Sequence, residues 1–227
     1  MGKVGYKLET TALISKENYN TFRIRCIMLI LENLIFKIGI KMLITHETLD
    51  RFKTSNKLFD GVNVSLEAKK VLKEQKYKVE REYDIFLSHS FQDAENVYAL
   101  YKYLKSFGWS VYVDWIEDSH LDRQNVTKST SNLLKLQMAR SKTLIYASSK
   151  ASKDSKWMPW ELGFFDGHKP NRIAILPIVA DQDKHQNYSG IEYLSIYPYI
   201  EMGTQALWLR DPEKHNFIEQ LDRFIKK

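Results

Sequence analysis

The stretch Tyr83-Asp-Ile-Phe-Leu-Ser-His-Ser90 is a short apolar run that ends abruptly in polar residues, and the chain repeats this design as it continues. Residues 93–107 carry apolar positions at helical spacing, and Gly108 then turns the chain into Trp109-Ser-Val-Tyr-Val113. A polar loop over 114–125 leads to a helix beginning at Val126 or Thr127 and running to about Arg140. Further strands are predicted at Lys142-Thr-Leu-Ile-Tyr-Ala147, at Arg172-Ile-Ala-Ile-Leu-Pro-Ile-Val179 and near 197–200, with a short helix around 157–165 between the first two and a terminal helix over 212–225. The strand runs have few alternating polar positions, the pattern of strands buried on both faces. The expectation is an α/β fold, a flavodoxin-like doubly wound parallel sheet, over residues 81–227.

Working back from Tyr83, residues 1–80 read as a small, mostly helical N-terminal region suited to oligomerisation or sensing. Ile27, Leu31, Leu34, Ile35, Ile38 and Met42 recur at helical spacing, and Met28, Leu29, Phe36, Ile40 and Leu43 make the other side apolar too. A second helix is predicted over 64–75. Although the run 26–44 is apolar, Glu32, Asn33, Lys37 and Lys41 interrupt it. Charges at a bilayer centre cost about 2.5–3.5 kcal/mol each, so burial against protein is favoured over a membrane span.

Composition sets the outer bounds. Of 227 residues, 44% are hydrophobic and 27% charged, the balance of a globular protein rather than a disordered one. The lone cysteine, Cys26, has no internal disulfide partner, and the N-terminal twenty residues lack a secretory pattern, so a cytoplasmic location is expected. A net charge of +6 raises the question of nucleic acid, but the lysines are scattered among acidic residues and no recognition motif accompanies them. No metal site is expected: His46-Glu47 opens like a zinc-protease helix, yet Asp50 stands where its second histidine belongs.

In open α/β sheets, ligands bind outside the carboxyl ends of the strands. Those ends carry Ser88-His89-Ser90, Asp114-Trp115 and Ser148-Ser149. Just beyond the third strand lies Trp157-Met-Pro-Trp-Glu161. Pro159 is tolerated in a first helical turn, and Trp157 and Glu161, at i and i+4, share a helix face. An aromatic plane beside a carboxylate suits a flat heterocycle joined to a ribose.

FLSHS at 86–90, VYVDW at 111–115 and SKWMPWELGFFDG at 155–167 resemble the boxes of bacterial TIR (Toll/interleukin-1 receptor) domains, including enzymes of Thoeris-type antiphage defence. The resemblance implies that Glu161 is needed to cleave the nicotinamide–ribose bond of NAD and that Trp157 shapes the same pocket. It also implies substrate contacts from the loop after the first strand, Ser88, His89, Ser90 and Phe91, and from the loop after the second, Asp114, Trp115 and Arg123. NAD is then a consumed substrate, not a cofactor, in keeping with the lack of Gly-x-Gly-x-x-Gly after the first strand. Homo-oligomers through TIR–TIR contacts and the N-terminal helices, and a downstream effector that senses the product, are the implied partners.

The chemistry stands without the family. Losing nicotinamide leaves an oxocarbenium-like sugar that a carboxylate stabilises, and the pyridinium leaving group requires no general acid. Water as the next nucleophile gives ADP-ribose, an internal atom a cyclic form and an external nucleophile a conjugate. The sequence does not choose among them. The alternative is a non-catalytic signalling adaptor that uses the same fold for TIR–TIR assembly.

Overall fold

In the computed structural model, residues 42–55, 82–113, 128–203 and 206–227 are described, all within the compact unit of residues 41–227. Cys26, most of the apolar run 26–44, the predicted helix 64–75 and the loop 114–125 lie outside the described residues.

Eight strands form one sheet among the described residues: β1 (Ile44–Thr45), β2 (Tyr83–Ser88), β3 (Val111–Tyr112), β4 (Ser141–Ser148), β5 (Ile173–Val179), β6 (Tyr199–Met202), β7 (Leu207–Arg210) and β8 (Phe217–Gln220). The central order β3-β2-β4-β5-β6 is parallel throughout, the arrangement expected of a flavodoxin-like sheet. Gly108, at φ +88°, makes the turn that brings the chain into β3, a conformation strained for a residue with a Cβ.

Helices cover both faces. On one side α1 (His46–Ser55), α2 (Ala94–Ser106) and α5 (Leu221–Lys226) bury Leu49, Val97, Leu100, Leu104 and Phe224 against Ile85, Leu87, Ile145 and Leu176. On the other, α3 (Lys128–Ala139) and α4 (Trp157–His168) bury Leu134, Met138, Met158, Leu162 and Phe165 against Phe86, Leu144, Tyr146, Ile175 and Tyr199. The strand side chains alternate between these clusters, which is why the runs are apolar at nearly every position. Full burial of each large apolar side chain contributes about 1.5–3 kcal/mol.

Two segments depart from the sequence expectation. Ile44, the end of the apolar run read as helical, lies in β1 and pairs with Ile178, while Thr45 pairs with Val179. The Leu43 N–H donates to the Lys184 carbonyl at 2.7 Å, and the Met202 N–H donates to the Met42 carbonyl at 2.9 Å. Residues 42–45 are therefore laid against the carboxyl ends of β5 and β6, and Thr45 Oγ1 accepts the Thr48 N–H at 3.0 Å to cap α1.

The predicted terminal helix over 212–225 is corrected to α5 alone, because β7 and β8 form an antiparallel ladder beyond β6. Asp211 Oδ1 accepts the N–H groups of Glu213 and Lys214, making a tight turn, and His215 takes a left-handed φ of 53°. The Arg210 guanidinium then lies 3.5 Å from the Phe217 ring centroid and binds buried Glu201 at 2.6 Å. At Phe217 pairing across the sheet outweighs the helical spacing that it shares with Leu221 and Phe224 of α5. No described helix is long and apolar enough to cross a membrane.

Candidate functional site

Helix α4 is the element that places the predicted site, and it is anchored along its length. Ser155 Oγ accepts the Met158 N–H at 3.3 Å at the start, where Pro159 occupies a first-turn position that needs no donor. The Tyr197 hydroxyl donates to Asp166 Oδ2 at 3.0 Å further along. Beyond its end, Lys169 Nζ donates to the carbonyls of Ala139 and Ser141 at 2.7 and 2.6 Å. With Met158, Leu162 and Phe165 turned into the core, Glu161 is carried inward with them.

Glu161 is only 2% exposed, and the Ser88 hydroxyl, itself 1% exposed, donates to its Oε2 at 2.5 Å. A charge-assisted bond of this length holds the carboxylate at the carboxyl end of β2, where ligands of such sheets bind. Trp157, one turn earlier, is half-buried and meets Trp160 edge to face at 5.4 Å. Trp160 in turn stacks on Phe164, and Lys135 lies 6.0 Å from the Trp160 ring centroid. The half-buried Trp160 belongs to this outer aromatic row of α4.

The loop after β2 is fixed by its own hydrogen bonds. His89 is 4% exposed and its Nδ1 donates to the Leu87 carbonyl at 2.9 Å, which makes Nε2 the acceptor in the neutral ring. Ser90 is 5% exposed; its carbonyl accepts the Asp93 N–H at 3.1 Å. Ser149 Oγ donates to Asp93 Oδ2, tying this loop to the one after β4, and Ser149 and Ser152 exchange backbone and hydroxyl hydrogen bonds around 3 Å. Phe91 opens the short helical turn Phe91–Asp93, with its side chain outside the described residues. Asp114, Trp115 and Arg123 also lie outside them.

Two tyrosines beside this site, Tyr146 and Tyr188, are absent from the sequence expectation. Ser88 is the register partner of Tyr146 on β4, so the Tyr146 side chain rises beside the Ser88–Glu161 pair. Burial pushes the Tyr146 hydroxyl well above its ordinary range, and Tyr193, Tyr188 and the Glu161 charge push the same way. Burial also raises Tyr188, against the opposing effect of its 3.0 Å hydrogen bond with Ser148. Tyr146 and Tyr188 are thus neutral hydroxyls near neutral pH, able to donate hydrogen bonds. The signal for Tyr146 was in the sequence: it shares with Leu144 and Ser148 the alternate strand positions that face α4.

A carboxylate held beside neutral phenols, at the carboxyl edge of a parallel sheet and below an aromatic helix face, can stabilise a cationic sugar. Comparison with known proteins bears on the family of the chain. The family model described as TIR domain matches residues 85–218. The chain is similar to the Bacillus cereus protein named "Probable 3' cyclic ADP-D-ribose synthase ThsB'", with 45% identity over 157 residues, 65% of this chain and 80% of the relative. It is also similar to the Cytobacillus dafuensis protein named "Putative cyclic ADP-D-ribose synthase TIR2", with 32% identity over 83 residues, 36% of this chain and 22% of that relative. The boxes at 86–90, 111–115 and 155–167, the parallel sheet and the family match converge, and the chain belongs to the TIR domain family.

Proposed function

We propose that the protein cleaves the nicotinamide–ribose bond of NAD and closes the remainder into a cyclic ADP-ribose that serves as a signal in antiphage defence. The observation that carries this reading is the buried Glu161 carboxylate, fixed by Ser88 at the carboxyl end of β2 and preceded by Trp157 one turn earlier. The two relatives' names, both cyclic ADP-D-ribose synthases, support the cyclic product.

As the bond breaks, its electron pair goes to the nicotinamide nitrogen, and a positive charge develops on the ribose. Glu161 opposes that charge in a site where water screens little, and Trp157 offers a face for the leaving base. A hydroxyl of the same molecule then forms the new bond to the sugar carbon and releases one proton. NAD enters as substrate and is consumed. Homo-oligomerisation and a downstream effector that senses the product complete the proposal, with the reaction in the cytoplasm.

Incubating the purified chain with NAD, over a range of protein concentrations and with extract of phage-infected cells, tests this reading by the appearance of nicotinamide and a cyclic isomer in mass spectra. Absence of nicotinamide under every condition would refute it. The 2% exposure of Glu161 favours a second reading, an adaptor that signals only through TIR–TIR contacts, because the carboxylate must be uncovered before a dinucleotide reaches it. The same assay separates the two.

A further inference from the structure

The chain between β5 and β6 returns to the site over a strained path. Glu192 opens the short helical turn Glu192–Ile196 at φ +40°, a left-handed conformation that disfavours a residue with a Cβ. Gly190 packs so closely beneath that turn that a Cβ there would lie 2.8 Å from the Leu194 carbonyl carbon and the Ser195 nitrogen. The Ser195 hydroxyl donates to the Glu192 carbonyl at 2.6 Å, and Leu194 is buried in the α4-side cluster. Strain of this kind persists where surrounding contacts over-determine it, and it concentrates at functional sites.

The side chain this turn delivers is Tyr193. It is 43% exposed, yet its hydroxyl approaches that of Tyr146 closely enough to interact with it. Tyr188, on the same connection, bonds Ser148 at 3.0 Å and packs against Tyr199 with ring centroids 5.7 Å apart. Tyr146 stands in register with Ser88, the donor to Glu161. Exposure rises across the three, from buried Tyr146 through half-buried Tyr188 to Tyr193.

We propose that Tyr146, Tyr188 and Tyr193 form a water-excluding wall of the Glu161 site and determine how much product is cyclised and how much is hydrolysed. The inference rests on the NAD-cleaving reading above. Once nicotinamide has left, capture by water or by a hydroxyl of the same molecule forms one carbon–oxygen bond and releases one proton in either case. The two outcomes differ in which oxygen is within reach. Aromatic rings over the sugar carbon keep water out and leave the internal hydroxyl as the near nucleophile.

The test compares wild type, Tyr193→Ala and Tyr193→Phe as full-length chains, with nicotinamide, ADP-ribose and the cyclic isomer each quantified from NAD. In Tyr193→Ala the ratio of hydrolysed to cyclised product rises about tenfold, equivalent to ~1.4 kcal/mol of discrimination. Tyr193→Phe keeps the ring and holds the ratio within about twofold of wild type, because the ring rather than the hydroxyl excludes water. Continued nicotinamide release with an unchanged ratio in Tyr193→Ala overturns the wall while leaving bond cleavage intact. A wild type that makes only ADP-ribose does the same, and a wild type that releases no nicotinamide overturns the underlying reading itself.

Discussion

Replacing Ser88 by alanine removes one hydroxyl and isolates the interaction on which the site is built. Donor and acceptor are 1% and 2% exposed, so water does not replace the lost bond at the carboxylate. A hydrogen bond to a charged group is worth about 1.5–3 kcal/mol, and a buried partner left behind bears its own desolvation cost. Ser88→Ala is therefore expected to destabilise the fold by about 2–3 kcal/mol. For a unit of this size, each kcal/mol lowers Tm by about 2–4 °C. In a Glu161→Ala background the carboxylate is already gone, and the same Ser88→Ala change has only the ordinary effect of losing a small hydroxyl. Chemical denaturation of wild type, both single variants and the double variant measures the coupling directly. A coupling of about 1.5 kcal/mol or more is expected, and equal costs of Ser88→Ala in the two backgrounds would refute the pairing.

Substitutions at three further positions probe the scaffold. Arg172 reaches the carbonyls of Lys142, Phe224 and Ile225 and the Thr143 hydroxyl, so Arg172→Ala should cost about 2–3 kcal/mol and deprotect the amides of α5 in hydrogen exchange. Lysine at that position should not restore the loss, since an ammonium lacks the planar fork. Gly163 lies inside α4 with nothing within 4 Å of where a Cβ would stand, and Gly163→Ala should stabilise by about 0.5–1 kcal/mol in a denaturant titration. Burial alone would raise the Asp84 carboxyl, but Lys142 at 2.8 Å and the Ser110 N–H and hydroxyl outweigh it and hold the carboxyl below its ordinary value. Because the folded pKa is depressed, this stabilisation is present above the unfolded carboxylate value and is lost as pH falls through the folded one. Asp84→Asn should flatten the decline in stability below about pH 4, read from Tm against pH.

The central strands were legible in the sequence because burial on both faces leaves apolar runs such as Ile85–Leu87 and Ile173–Leu176 with no competing period. The placing of Trp157 and Glu161 one turn apart on a helix was legible through the position of Pro159. What the sequence concealed depends on contacts between distant segments. Ile44 fits a helical period as well as a strand, and only the open carboxyl end of β5 decides in favour of the strand. Phe217, Leu221 and Phe224 satisfy helical spacing, yet the stacking of Arg210 on Phe217 and the turn at Asp211 commit Phe217 to a ladder, and only Leu221 and Phe224 lie in the helix. Tyr193 lies 47 residues after Tyr146 in the chain, on a turn whose approach depends on Gly190, and no local pattern announces their meeting.

Nicotinamide release from NAD by the wild-type chain and by Glu161→Gln, which keeps the shape of the side chain and removes its charge, tests the cleavage at this carboxylate most directly. Release by wild type is expected, with a fall of about 100-fold or more in the variant and Tm changed by no more than a few degrees. Equal release by the two proteins would contradict this expectation.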